Sequence, residues 1–87
     1  MIFPDDVESL EDYQTFTSEL NCPILANITE FGKTPLFTRD ELASVNIAIA
    51  LYPLSEFREM SAAALAVYKE IKQAGSQQAV LDTMQTR

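Results

Sequence analysis

Asn27 is the residue of this 87-residue chain with the strongest claim to chemistry. It closes the run Ile24-Leu25-Ala26-Asn27, and an amide at the end of an otherwise apolar strand must find partners in its own loop or in a ligand. Ile28, Thr29 and Glu30 follow it. Arg58 and Arg87 stand near a strand exit and at the chain end, and a guanidinium is the side chain that grips a carboxylate through two parallel hydrogen bonds. As exposed ion pairs on a helix face they would contribute little. Asp5, behind Ile2-Phe3-Pro4, and Ser55, behind Pro53, complete a set of polar groups at three strand exits. Cys22 lies before Pro23 at the start of a strand, and with no His in the chain to activate it it reads as a structural thiol. Lys33 and Glu30 sit in a Gly-containing loop, where solvated charges are the ordinary state. Gly32-Lys33-Thr34 lacks the earlier Gly and the directly following helix of a phosphate loop.

The elements that position these groups follow from pattern. Residues 1–3 are apolar and end at Pro4. Asp5, Asp6 and Glu8 then suit the start of a helix over residues 7–20, with Leu10, Tyr13, Phe16 or Thr17, and Leu20 on its packed face. Asn21-Cys22-Pro23 breaks that helix, and residues 24–28 read as a short buried strand. A loop through Gly32 and Pro35 leads to Thr38-Arg39-Asp40-Glu41, a capping box that opens a short helix over residues 38–45. Residues 47–52 are continuously apolar between Asn46 and Pro53, as in a strand buried on both faces. A long helix over residues 55–74 has Phe57, Met60, Ala64, Tyr68 and Ile71 on one face and Gly75 after its end. Ser76 caps a final short helix ending near Met84. This alternation predicts an α/β protein with parallel strands, whose functional groups gather at the C-terminal strand ends.

Composition narrows the function classes. Thirteen acidic against six basic side chains, a net charge of −7, oppose the phosphate backbone of nucleic acid. No apolar run approaches the roughly 20 residues that cross a bilayer, and the N-terminus lacks a basic, then long apolar, signal segment. The default address is the cytoplasm. A single Cys excludes an internal disulfide, and the absence of His removes Cys/His metal sites.

Five blocks, Ile2-Phe3-Pro4, residues 23–32 (P-I-L-A-N-I-T-E-F-G), residues 34–38 (T-P-L-F-T), residues 51–55 (L-Y-P-L-S) and residues 82–87 (D-T-M-Q-T-R), resemble the 2-methylisocitrate lyase family in order and spacing. The resemblance runs through the whole chain. It implies the fold of the isocitrate lyase and phosphoenolpyruvate mutase superfamily, a TIM-type (β/α)8 barrel of about 250 residues. Residues 1–87 would be the C-terminal (β/α)3 portion of that single domain, with strands six to eight. It further implies cleavage of 2-methylisocitrate to pyruvate and succinate in propionate breakdown through the methylcitrate cycle, assisted by Mg²⁺. Family substrate contacts carry over onto Asn27, Ile28, Thr29, Arg58 and Arg87. Asp5 stands where the family usually has Glu, one methylene longer. The family's Mg²⁺-binding carboxylates and the loop with its catalytic Cys have no counterpart here, so no catalytic residue is expected in this chain and none of its residues is expected to turn over substrate alone. A homo-oligomer that exchanges the helix of residues 55–74 is implied as well. Sister activities such as isocitrate lyase, and a non-catalytic remnant or interaction module, are the competing readings. The N-I-T-E-F-G and D-T-M-Q-T-R runs favour methylisocitrate lyase.

Overall fold

The computed structural model describes residues 1–87. The element order is α1 (Leu10–Glu19), β1 (Leu25–Asn27), α2 (Arg39–Ser44), β2 (Ile49–Leu51), α3 (Ser55–Ala74) and a 3-10 helix, Gln78–Thr83. The chain divides into two compact units, Met1–Ser55 and Glu56–Arg87.

The first unit is built on a parallel pair. Leu25, Ala26 and Asn27 of β1 register with Ile49, Ala50 and Leu51 of β2. The Ile28 amide donates to the Leu51 carbonyl (2.8 Å) at one end, and the Ala48 amide to the Ile24 carbonyl (3.0 Å) at the other. The expected first strand is reduced to one parallel bridge, Ile2 to Ile24, in which the Leu25 amide donates to the Ile2 carbonyl (2.9 Å). Pro4, which has no amide hydrogen to continue a ladder, follows at once. The order strand, helix, strand, helix, strand, helix survives with the opening strand one pairing long.

Core residues alternate along β1 because successive side chains in a strand point to opposite faces. Ile24, Ala26 and Ile28 are buried with Val7, Tyr13 from α1, and Leu42 and Val45 at α2. Tyr13 meets Phe37 edge to face at 6.1 Å. Burial pushes the Tyr13 hydroxyl above its ordinary pKa of 10.0 because the phenolate is disfavoured away from water. The Thr17 hydroxyl ties α1 to the end of α2 by donating to the Val45 carbonyl at 2.9 Å.

Strand β2 is not buried on both faces as expected. Ile49 is 44% and Leu51 39% exposed, whereas Ala50 packs on the core. An apolar run therefore marks a strand of which only Ala50 packs on this core.

Local end signals act much as read, with shifts of one to three residues. Helix α1 begins later than expected: Ser9 caps it by accepting from the Asp12 amide at 3.2 Å, and Glu11 and Asp12, rather than Asp5, Asp6 and Glu8, occupy the first turn. Leu20, placed on the packed face, is exposed. Thr38 and Glu41 form the full capping box, each side chain accepting from the other's amide. Asn46 follows α2 with φ 64, the left-handed conformation that Asn tolerates better than most residues.

In the second unit, α3 runs over Ser55–Ala74 as read from the sequence, and Gly75 terminates it with φ 74. Its amide donates to the Ile71 carbonyl at 2.9 Å. The final short helix is a 3-10 helix whose N-cap is Gln77, with no side-chain cap, rather than Ser76; the Ser76 hydroxyl accepts from the Gln78 amide at 3.3 Å in the turn that precedes it. No residue of α3 is buried: Phe57, Met60, Tyr68 and Ile71, expected to pack, are all exposed. The amphipathic stripe dictates the helix but has no counterpart to bury it here. No helix is long and apolar enough to cross a membrane.

Candidate functional site

Parallel β-strands end with their carbonyl termini and following loops at one rim, and here the rim holds a small polar recess. Asn27 contributes from the end of β1. Thr29, Gly32, Lys33 and Thr34 come from the loop after it, and Pro4, Asp5 and Asp6 from the segment after the Ile2 bridge. The cavity measures about 30 Å³, room for one or two water-sized groups.

Asn27 dominates its chemistry. Strand alternation turns its side chain to the face opposite Ala26, and its Oδ1 is buried without a hydrogen-bond partner. Leaving a buried acceptor unmatched costs about 1–3 kcal/mol, so the atom is poised for a donor. The neighbouring side chains hold the recess open. Asp5 Oδ1 accepts from the Asp6 amide at 3.1 Å, a local turn that accompanies φ 52 at Asp6. Lys33 Nζ lies 3.6 Å from Asp6 Oδ2 and links the two loops, but both side chains are mostly exposed, so the pair is weak. A Cβ at Gly32 would stand 3.2 Å from Thr29 Cγ2, and glycine lets the loop close against Thr29. With two carboxylates and one ammonium, the recess favours a donor over a carboxylate.

The site residues read from the sequence fall into three groups. Asp5, Asn27 and Thr29 come together in the recess. Ile28 has its side chain in the core, 3% exposed. Arg58, on the first turn of α3, and Arg87 belong to the second unit. Sequence reasoning set Lys33 and Gly32 aside as a solvated charge and a failed phosphate loop, yet both line the recess with Asp6. Their signal was membership of the loop that Asn27 opens. No group of three or more His, Cys, Asp or Glu side chains is gathered, and one of the two carboxylates at the recess is paired with Lys33. These residues do not form a Mg²⁺ seat by themselves.

A polar recess at the carbonyl ends of parallel strands, each followed by a helix, is the arrangement of (β/α)-barrel enzymes. Solved structures share this fold. One is an oxaloacetate acetylhydrolase bound to 3,3-difluorooxalacetate (TM-score 0.77, 21% identity, 85% of this chain and 25% of that one). Another is 2,3-dimethylmalate lyase of the PEP mutase/isocitrate lyase superfamily (TM-score 0.77, 22% identity, 86% and 27%). The chain thus has the fold of about a quarter of each of these chains, part of a (β/α) barrel. In sequence it is similar along its whole length to the C-terminal portion of 2-methylisocitrate lyases. It is 56% identical over 87 residues to that of Escherichia coli (strain K12) and 55% identical to that of Salmonella typhimurium. It spans about 30% of the length of these relatives. No protein-family model matches it.

Proposed function

We propose that this chain is the C-terminal (β/α)3 part of a single barrel domain of a 2-methylisocitrate lyase, acting in the methylcitrate cycle of propionate breakdown in the cytoplasm. The observation that carries this reading is identity of 35–56% to proteins of that name across essentially all of the chain. Cleavage of 2-methylisocitrate removes a proton from the hydroxyl on C2, breaks the C2–C3 bond and releases pyruvate. The electron pair left on C3 takes up a proton to give succinate. Asn27 Oδ1 offers the acceptor that a substrate hydroxyl needs, with Thr29 beside it and the Ile28 backbone between them. Arg58 and Arg87 are the carboxylate clamps, the role that the two acidic groups of the recess cannot fill. Asp5 takes the place of the family's Glu at shorter reach.

Mg²⁺, when bound, stabilises negative charge developing on the substrate, and its ligands are expected from barrel segments other than these 87 residues. The acid–base loop is expected from there too, so the chain alone binds without turnover. The working enzyme is a homo-oligomer that exchanges α3. The test is a chimera in which these 87 residues replace the corresponding portion of the Escherichia coli enzyme. With Mg²⁺ it is expected to release pyruvate from 2-methylisocitrate, while the isolated chain releases none. A chimera that prefers isocitrate overturns the substrate assignment, and turnover by the isolated chain overturns its incompleteness.

A further inference from the structure

Two strand-exit loops are joined by a side-chain strut outside the recess. Glu30 Oε1 accepts from the Ser55 hydroxyl at 2.5 Å, in a half-buried position and across 25 residues of sequence. Glu30 stands three residues beyond the end of β1, and Ser55 four residues beyond the end of β2, at the first residue of α3. Each loop also holds a non-glycine residue in the left-handed region: Phe31 with φ 64, directly after Glu30, and Leu54 with φ 64, directly before Ser55. Such residues persist only where their surroundings over-determine them. A bond between the residues flanking both strained positions is the kind of restraint that does so.

We propose that Glu30 is a positioning residue, which through Ser55 sets the place of the Asn27-Ile28-Thr29 run at the rim. Backbone hydrogen bonding supports this. The Ile28 amide bonds to the Leu51 carbonyl, and the strut closes a ring of chain just beyond that bond. Without the strut, the last rung of the parallel pair frays and Asn27 loses its fixed aim. The carboxylate suits the task because a hydrogen bond to an ionised acceptor is about twice as strong as a neutral one. That the aim matters for ligand rests on the reading of the recess given above; the strut itself does not.

The experiment is amide hydrogen exchange by NMR on the 87-residue chain. Glu30→Ala and Ser55→Ala are each expected to speed exchange of the Ile28 amide by about tenfold. The Ala48 amide, bonded to Ile24 at the far end of the pair, keeps its wild-type rate. Ser55→Thr retains the hydroxyl and restores protection to within about twofold, and Glu30→Gln, with a neutral acceptor, falls between. Titration with 2-methylisocitrate, followed at the Asn27 side-chain amide, is expected to show binding about tenfold weaker in the two alanine variants and recovered in Ser55→Thr. Unchanged exchange at Ile28, or equal acceleration at Ile28 and Ala48, overturns the strut. Faster exchange at Ile28 with unaltered binding overturns its positioning role. A wild-type chain that does not bind 2-methylisocitrate overturns the substrate reading, while the exchange rates still decide the strut.

Discussion

The two units make opposite use of similar sequence patterns. Both carry a helix with an apolar stripe, α1 in the first and α3 in the second. Helix α1 has ten residues and delivers Tyr13, 1% exposed, into a core; α3 has twenty residues and buries none. All seven buried apolar residues lie in Met1–Ser55. A periodic stripe specifies that a helix forms and which side is sticky. Whether that side is buried depends on what packs against it, and within the first unit β1 and α2 do so for α1.

Substitution of one tyrosine in each unit gives the largest contrast. Tyr13→Ala is expected to cost about 3–5 kcal/mol, as for other large core truncations, whereas Tyr68→Ala, at a residue 72% exposed, should stay within about 0.5 kcal/mol. Urea unfolding followed by circular dichroism measures both, and equal costs would erase the distinction between the units. Asn27→Leu probes the recess from the other side. Removing an unmatched buried acceptor should raise stability by about 1 kcal/mol while abolishing binding of 2-methylisocitrate; a loss of stability would show that the amide serves the fold.

Helix ends give effects of similar or smaller size in both units. Thr38→Ala breaks the capping box of α2 and should lower stability by about 1 kcal/mol. Gly75→Ala meets no neighbour within 4 Å but must adopt φ 74, so it should cost about 1 kcal/mol through backbone strain alone, read as fraying of α3 by amide exchange. Alkaline titration yields a smaller signal, confined to the first unit. The native Tyr13 pKa is raised by burial. Above pH 10 the unfolded chain therefore loses its phenolic proton first and binds fewer protons than the native state. Stability that is fully present below pH 10 falls as pH rises through that window, and Tyr13→Phe should remove this part of the slope in urea midpoints measured between pH 9 and about 11.

Helix α3 and its Gly75 stop, the capping box at Thr38 and the break at Pro23 were legible because each rests on interactions within about four residues. The same reasoning misread β2, since an apolar run is compatible with one buried face or two. It singled out Asn27, whose Oδ1 the structure buries without a hydrogen-bond partner. It passed over Lys33 and Asp6, whose proximity joins positions 27 residues apart in the chain, and left Glu30 as a loop charge although it pairs with Ser55.

The amino-acid order by itself determined the helices, their caps, the parallel alternation and the amide at the rim, because propensity, capping and strand alternation are short-range and largely independent of context. Tertiary structure alone decided which apolar stripe is buried, which loops meet around Asn27, and that its Oδ1 lies unmatched. Those outcomes depend on the register of β1 with β2 and on the loops that this register brings together.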